Sequence, residues 1–119
     1  MGYTQTKGNA AEQLACCYLQ KQGLTLITRN YRCRYGEIDL IMHDNATLVF
    51  IEVRYRKANN QVDAATSIDH FKQAKLIRSA QYYLQQHQAT NQLARIDVLL
   101  ITEQSCQPII DWIPNAIEA

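Results

Sequence analysis

The 119-residue sequence lacks any apolar run that approaches the length of a membrane span, and its polar start, Met1–Asn9, lacks the hydrophobic region of a signal peptide. We therefore expect a cytoplasmic protein without a membrane partner. The sequence also lacks internal repeats, low-complexity segments and any domain linker. A chain of this length without such breaks predicts one domain over residues 1–119, in which 114–119 form a flexible tail.

The cysteines lack the spacing of a metal site. Cys16 and Cys17 are adjacent, whereas Cys33 and Cys106 are isolated, so without a secretory signal we expect free thiols. An excess of one charge is also missing, because 12 Lys and Arg residues against 11 Asp and Glu residues leave a net charge of +1. Binding to nucleic acid would therefore have to rely on local basic patches.

What the sequence does contain is a pair of apolar runs interrupted by charge. The runs Ile38–His43 and Thr47–Tyr55 predict a β-hairpin around an Asp-Asn turn. Asp39 lies inside the first run, and Glu52 and Arg54 lie inside the second. Because side chains alternate between the faces of a strand, Glu52 and Arg54 point the same way.

The position of Asp39 relative to Glu52 depends on the register of this hairpin. A two-residue loop pairs Asp39 with Phe50 and a four-residue loop pairs it with Glu52, and both place the two acids on one face within roughly 5–8 Å. A three-residue loop separates them. Carboxylates that converge among apolar residues need a neutralising charge, for which a divalent metal ion is the usual solution. The alternative is a pair of edge-strand acids in water, which apolar neighbours such as Leu40 and Val53 disfavour.

These residues resemble the YraN-like family of uncharacterised bacterial proteins, which belongs to the restriction-endonuclease-like superfamily. The similar blocks are GEIDLI at Gly36–Ile41 and FIEVRYR at Phe50–Arg56. The motif of the superfamily is written PD-(D/E)-x-K. Asp39 matches its first acid and Glu52 its second, and Arg54 stands where lysine is typical.

The resemblance covers about residues 8 to 112 and implies an α/β fold, a restriction-endonuclease-like mixed central β-sheet flanked by helices. The pattern of the sequence predicts the same order of helix, three strands, helix and two strands, in which a helix between strands permits a crossover. Besides the hairpin, the predicted elements are helices at about Lys7–Gln22 and Ile68–Gln88, the second capped by Ser67, and strands at Leu24–Tyr31, Arg95–Ile101 and Gln107–Ile113.

The resemblance also implies metal-dependent hydrolysis of DNA phosphodiester bonds, on branched or damaged DNA if the likeness to Holliday-junction resolvases holds. It assigns Asp39, Glu52 and Arg54 as catalytic residues, and Glu12, Asp39 and Glu52 as ligands of Mg²⁺ or Mn²⁺. The alternative role of Glu12 is to support the first turn of its helix through the helix dipole. Because arginine cannot act as a base, Arg54 leaves open a non-catalytic nucleic-acid-binding module on the same fold. A homodimer is also left open.

Two basic segments accompany the hairpin. Arg29–Tyr35 holds three arginines and two tyrosines, which predicts a rim that contacts phosphates and offers aromatic rings for stacking, unless it is merely a solvated loop. On the second predicted helix, Lys72, Lys75 and Arg78 drift around one side, which is usually only a solvated face. Lys72 is also in a position to lend the site the amine that Arg54 lacks. We expect nucleic acid, with DNA favoured over RNA, to contact Arg32, Arg34, Arg56, Lys57, Lys72 and Lys75.

Overall fold

The computed structural model describes residues 7–57, 68–104 and 107–118, with only the backbone of residues 7 and 8. Its elements follow the predicted order of helix, three strands, helix and two strands, which confirms the α/β class. They are α1 (Lys7–Lys21), β1 (Thr25–Cys33), β2 (Gly36–Asp44), β3 (Thr47–Lys57), α2 (His70–Gln86), β4 (Ala94–Glu103) and β5 (Ile109–Ile117).

The strands form one mixed sheet in the order β1-β2-β3-β4-β5. Strands β3 and β4 are parallel, and the other neighbouring pairs are antiparallel. A parallel pair cannot be joined by a tight turn and needs a crossover, which α2 provides between β3 and β4. The predicted mixed central sheet is therefore confirmed.

The two helices cover opposite faces of the sheet, and each lies over its own apolar cluster. Strand β3 contributes to both clusters by alternation, with Leu48 and Phe50 on the α2 side and Val49 and Ile51 on the α1 side. A strand that is apolar on both faces is expected in the middle of a sheet that is covered on both sides. By the same alternation, Glu52 lies on the α2 side.

The start of α2 differs from the prediction. The helix begins at His70, and its N-cap is Asp69, whose side chain accepts a hydrogen bond from the backbone N–H of Lys72 at 2.8 Å. The predicted cap, Ser67, lies outside the described residues. Asp and Ser are comparable N-cap residues, so the sequence pattern alone did not decide between them.

Strand β5 also differs from the prediction, because it runs to Ile117 and includes residues that we expected to form a tail. Ile117 is buried in the cluster beneath α2. Asn115 donates its backbone N–H to Oδ1 of the buried Asp97 at 2.8 Å, so the chain is held to β4 beyond Pro114. A contact between residues this far apart in sequence left no local pattern from which it could be predicted.

The structure bears on the expected free thiols and on the expected absence of a membrane span. Cys16, Cys17 and Cys33 are free thiols as expected, whereas Cys106 lies outside the described residues. Neither helix in the described part of the chain has the length and apolar character that crossing a membrane requires.

Candidate active site

The β2–β3 hairpin brings the two acids of the motif opposite each other. His43 pairs with Leu48, which is the register predicted for a four-residue loop, and one further pair forms at the turn. Asn45, in the turn, has a φ of 56°, a left-handed conformation that asparagine adopts more readily than most residues. In this register Asp39 falls opposite Glu52, the closer of the two arrangements considered from the sequence.

The sheet divides at these two acids. Among the described residues, pairing of β2 with β3 ends at Leu40 and Ile51, whereas β2 continues beside β1 and β3 continues beside β4. Asp39 enters the break, and its Oδ2 accepts a hydrogen bond from the backbone N–H of Val53 at 2.8 Å. A backbone donor that no longer has a strand partner is thus satisfied by a side chain.

Three acids from separate elements meet at this break. The Asp39 carboxyl group lies near enough to those of Glu12 on α1 and Glu52 on β3 to raise the pKa of both. The residues predicted as metal ligands are therefore neighbours. Within residues 7–57, 68–104 and 107–118, however, no three His, Cys, Asp or Glu side chains are arranged to hold a metal ion as they stand.

The electrostatics of the site disfavour three negative charges. Burial, followed by repulsion from Asp39, raises the pKa of Glu52 to about 7, although the amine of Lys72 acts in the opposite direction. Burial also raises the pKa of Asp39 against the hydrogen bond from Val53, and burial together with Asp39 raises the pKa of Glu12. Without further positive charge, these carboxyl groups hold protons more firmly than they would in water.

Two cations contact Glu52 directly. Lys72, in the first turn of α2, places Nζ 3.2 Å from Glu52 Oε2, and a guanidinium nitrogen of Arg54 lies 3.8 Å from the same oxygen. Glu52 itself is only 3% exposed, so its ionised form depends on these two cations for stabilisation. The Lys72 amine therefore lies at the candidate site, beside the same carboxylate that Arg54 contacts.

The donors at this site suit a hard divalent cation. Carboxylate oxygens are the preferred ligands of Mg²⁺ and Mn²⁺, and one or two carboxylates can hold Mg²⁺ when water and substrate phosphate complete its coordination. Asp39 and Glu52 meet that requirement. In addition, Oε1 of Glu12 is buried and has no hydrogen-bond partner in the protein. A buried oxygen without a partner in the protein has room for an interaction with an ordered water or a bound ion.

Three of the six predicted nucleic-acid contacts line one cavity of about 670 Å³ beside the acids, namely Arg32, Lys72 and Lys75. Arg32 also forms an exposed ion pair with Glu37 at 3.3 Å. The guanidinium of Arg34 lies 5.7 Å from the centre of the Tyr35 ring at the β1–β2 turn. These side chains form a basic border along the opening of the sheet.

The other two predicted contacts lie near the end of β3. Arg56 shares the face of Glu52 by strand alternation, and its Nε donates to Oγ1 of Thr102 at 3.2 Å. Lys57 is exposed and points to the opposite face of β3. The structure therefore brings Arg56 to the face that carries the acids and leaves Lys57 on the other face.

The expectation of stacking tyrosines is wrong for Tyr31. Its ring packs edge-on against Tyr83 at 5.2 Å between ring centres, and its hydroxyl donates to Gln86 at 2.8 Å. Tyr35 packs against Tyr82 in a similar way at 5.6 Å. Because α2 lies across β1 and β2, the ring of Tyr31 is used in packing, whereas Tyr35 contacts α2 and stays 36% exposed. The sequence around residues 29–35 gave no means of anticipating this difference.

The structure instead exposes an aromatic ring that the sequence analysis overlooked. Phe71, in the first turn of α2, is 82% exposed and lines the cavity described above. The helical spacing could have revealed this exposure. Phe71 precedes Leu76, which was predicted to be buried, by five residues, and five residues correspond to about 140° around a helix of 3.6 residues per turn. An apolar residue so far from the buried face was a candidate for a surface role.

Comparisons with known proteins give a consistent result. A family model described as "Uncharacterised protein family UPF0102" matches residues 11–101. A "UPF0102 protein" of Nitrosococcus oceani is 54% identical over 111 residues, which cover 92% of this chain and 90% of the relative. Similar proteins of Methylococcus capsulatus (46% over 112 residues, 94% and 90% of the two chains) and Coxiella burnetii (47% over 116 residues, 97% and 94%) match equally broadly.

Proposed function

The chain belongs to the uncharacterised protein family UPF0102, and we propose that it is a metal-dependent nuclease that hydrolyses phosphodiester bonds in DNA. One observation carries this proposal: Asp39 lies beside Glu52 and beside Glu12 where the sheet divides. The site opens beside a cavity bordered by basic residues. Carboxylates that bind a cation next to a surface that attracts phosphate suit metal-assisted phosphoryl chemistry.

A purely structural role accounts poorly for these acids. Asp97, which is fully buried, provides an internal comparison, because Arg95, Trp112 and the backbone N–H of Asn115 all donate to its carboxylate. Such a set of donors is what a buried structural carboxylate requires. Glu12 instead keeps a buried oxygen without a partner. A bound divalent ion would supply the missing interaction.

In the proposed reaction, Asp39 and Glu52 would hold Mg²⁺ or Mn²⁺, with Glu12 as a further oxygen ligand. When bound, the ion supplies a Lewis acid that polarises the scissile phosphate. Lys72 and Arg54 would place positive charge against the phosphate oxygens as negative charge develops in the transition state. Arginine and a lysine that is ion-paired with Glu52 both act here as cations, so we assign the orientation of the attacking water to Lys72.

The basic residues around the site would bind the substrate. Arg32, Lys75 and Arg56 would contact backbone phosphates, so affinity for DNA should fall steeply with added salt. The resemblance to Holliday-junction resolvases is the reason for proposing branched or damaged DNA as the substrate. A DNA substrate of this kind also agrees with the cytoplasmic location expected from the sequence.

A second function, a non-catalytic nucleic-acid-binding module, also has specific support. Arg54 occupies the position where the motif has lysine and cannot replace it as a base. Moreover, among the described residues no three potential metal ligands are already in place. The two functions share the basic border and differ in whether the acids support hydrolysis.

Cleavage assays with matched variants separate the two functions. The purified protein is incubated with linear, nicked and branched DNA in the presence of Mg²⁺, Mn²⁺ or EDTA. We expect cleavage that requires the divalent ion and falls at least about 100-fold in Asp39→Asn, since that change removes a ligand charge. The control is Asp111→Asn, which makes the same substitution at an exposed position on β5 and should leave cleavage unchanged.

Each result has a defined consequence. Cleavage that persists at the parental rate in Asp39→Asn would exclude this site as its source. Salt-sensitive binding of DNA without cleavage under any metal condition would instead establish the binding module.

A further inference from the structure

The cavity beside the acids, here called the α2 cavity, lies between the β1–β2 turn and the start of α2. Arg32 and Gly36 line it on one side, and Phe71, Lys72 and Lys75 line it on the other. Its volume of about 670 Å³ is within the range of sites that bind small molecules or single building blocks of a polymer. Gly36 has a φ of 148°, which lets the chain turn sharply into β2 at the edge of the cavity.

Phe71 is the unusual member of this lining. At 82% exposure it is the most exposed large apolar side chain among the described residues. The helix fixes this exposure, because the buried face of α2 contains Leu76, Ala80 and Tyr83 and Phe71 points well away from it. A phenylalanine in water forgoes the favourable burial of its ring, so a ligand that covers the ring would recover it.

The charges around the ring favour an anionic ligand. Arg32, Lys72 and Lys75 contribute positive charge to the cavity, against Glu37 and Asp69. Glu37 and Arg32 form an ion pair that is neutral overall, and Asp69 caps α2, so Lys72 and Lys75 are the cations that would attract an anion. An exposed aromatic ring beside cations is the combination that binds single-stranded nucleic acid, with the base stacked on the ring and the backbone held by positive charge.

The cavity adjoins the candidate active site through Lys72. Lys72 lines the cavity and at the same time places Nζ 3.2 Å from Glu52. A strand whose phosphate approached the acids would therefore pass Lys72 and bring an adjacent nucleotide into the cavity. In a duplex, base faces are covered by their neighbours, so only an unpaired nucleotide could stack on Phe71.

We propose that the α2 cavity binds an unpaired nucleotide of the DNA substrate, with its base stacked on Phe71 and its phosphate held by Lys72 and Lys75. This inference rests on the proposed function for the nature of the ligand. It adds a requirement that the acids do not impose, namely that the DNA contains an unpaired base next to the bond that is cut.

The test measures binding, without cleavage, in EDTA at fixed ionic strength. Fluorescence anisotropy compares a labelled oligothymidine with a blunt duplex of equal length. We expect Phe71→Ala to weaken binding to the single strand by about 5- to 150-fold, the range that corresponds to loss of one stacked base, and to leave duplex binding within about twofold. Phe71→Trp should retain binding, whereas Phe71→Leu should lose it as Phe71→Ala does.

The matched control is Leu93→Ala, which truncates another exposed apolar residue (70% exposed) outside the cavity and should leave single-strand binding unchanged. Size-exclusion chromatography with light scattering of the parent and Phe71→Ala tests the competing possibility that the ring contacts a second copy. A dimer that dissociates in Phe71→Ala would overturn the inference, as would equal single-strand binding by parent and Phe71→Ala.

Failure of this inference can be distinguished from failure of the proposed function. Binding that depends on Phe71, together with no cleavage under any metal condition, would retain the cavity and remove catalysis. Cleavage that depends on Asp39, together with parental binding and cleavage in Phe71→Ala, would retain the nuclease and remove the stacking site.

Discussion

Arg54 and Lys72 approach the same carboxylate from different elements, and their chemistry is not equivalent. Both contact Glu52 Oε2, but the guanidinium stays protonated, whereas an amine can lose a proton in a suitable environment. Arg54 reaches the acid from two residues along the same strand, and Lys72 reaches it from α2. In the motif, one lysine on the strand supplies both a positive charge and an amine. Here Arg54 on β3 supplies only the charge, and the amine belongs to Lys72 on α2.

The substitution Arg54→Lys tests this division. We expect it to raise metal-dependent cleavage by about 100-fold or more, because it would add an amine able to transfer a proton and a positioned acid or base typically contributes at least about that factor. The rate is measured with Mn²⁺ on the best substrate. The control Arg78→Lys makes the same exchange at an exposed position on α2. Loss of activity in Arg54→Lys would mean that the guanidinium itself is required.

At the scale of elements, one buried carboxylate on β4 reinforces the pairing of β5 where the register shifts between Ile96 and Val98. Asp97 accepts hydrogen bonds from Arg95 on its own strand and from Trp112 Nε1 at 2.9 Å and the Asn115 N–H at 2.8 Å on β5. Arg95 also contacts Asp44 at 3.0 Å, which ties β4 to the end of the hairpin. This network explains why β5 continues beyond Pro114.

Asp97→Asn should therefore destabilise the protein strongly. The amide places a donor among groups that all donate, so we expect a loss of about 3–5 kcal/mol, as when one partner of a buried ion pair is removed. Urea unfolding followed by the fluorescence of Trp112, the single tryptophan, measures this change. Asp111→Asn on β5 is the matched control and should stay within about 0.5 kcal/mol of the parent. A loss below 1 kcal/mol for Asp97→Asn would show that the network does not anchor β5.

At the scale of the whole molecule, the raised pKa of Glu52 links the candidate active site to stability. The folded protein holds a proton on Glu52 up to a pKa of about 7, whereas the ordinary value is 4.5. Between these values the folded state binds more protons than the unfolded state, so stability decreases as pH rises. The contribution of Glu52 is complete below pH 4.5 and is lost as pH approaches 7.

We therefore expect the metal-free protein to lose roughly 3 kcal/mol at most between pH 4.5 and 7 through Glu52. Urea unfolding in EDTA at several pH values measures the loss, and Glu52→Gln should show a flatter profile because it cannot titrate. Mn²⁺ at a hundredfold excess over its Kd should restore about 2.7 kcal/mol at neutral pH in the parent. Identical profiles for parent and Glu52→Gln would place the titrating group elsewhere, for example at a histidine.

The amino-acid sequence by itself determined the order of the elements and the hairpin that carries the acids. Alternation in β3 placed Glu52 and Arg54 on one face, and the apolar runs indicated a central pair of strands. These features depend on periods of two or 3.6 residues and on turns a few residues long, so neighbouring residues suffice to specify them. The register of the hairpin stayed open, because loops of two or four residues keep Asp39 on the face of Glu52 and a loop of three residues separates them.

The tertiary structure decided which distant residues meet. The approach of Lys72 to Glu52, the packing of Tyr31 against Tyr83 and the extension of β5 towards Ile117 all depend on how α2 and β5 lie against the sheet. So does the exposure of Phe71, which follows from the face of α2 that the core buries. Such contacts join residues that are far apart in the chain. No local sequence pattern encodes how closely these residues approach each other, because that distance results from packing helices on both faces of one twisted sheet.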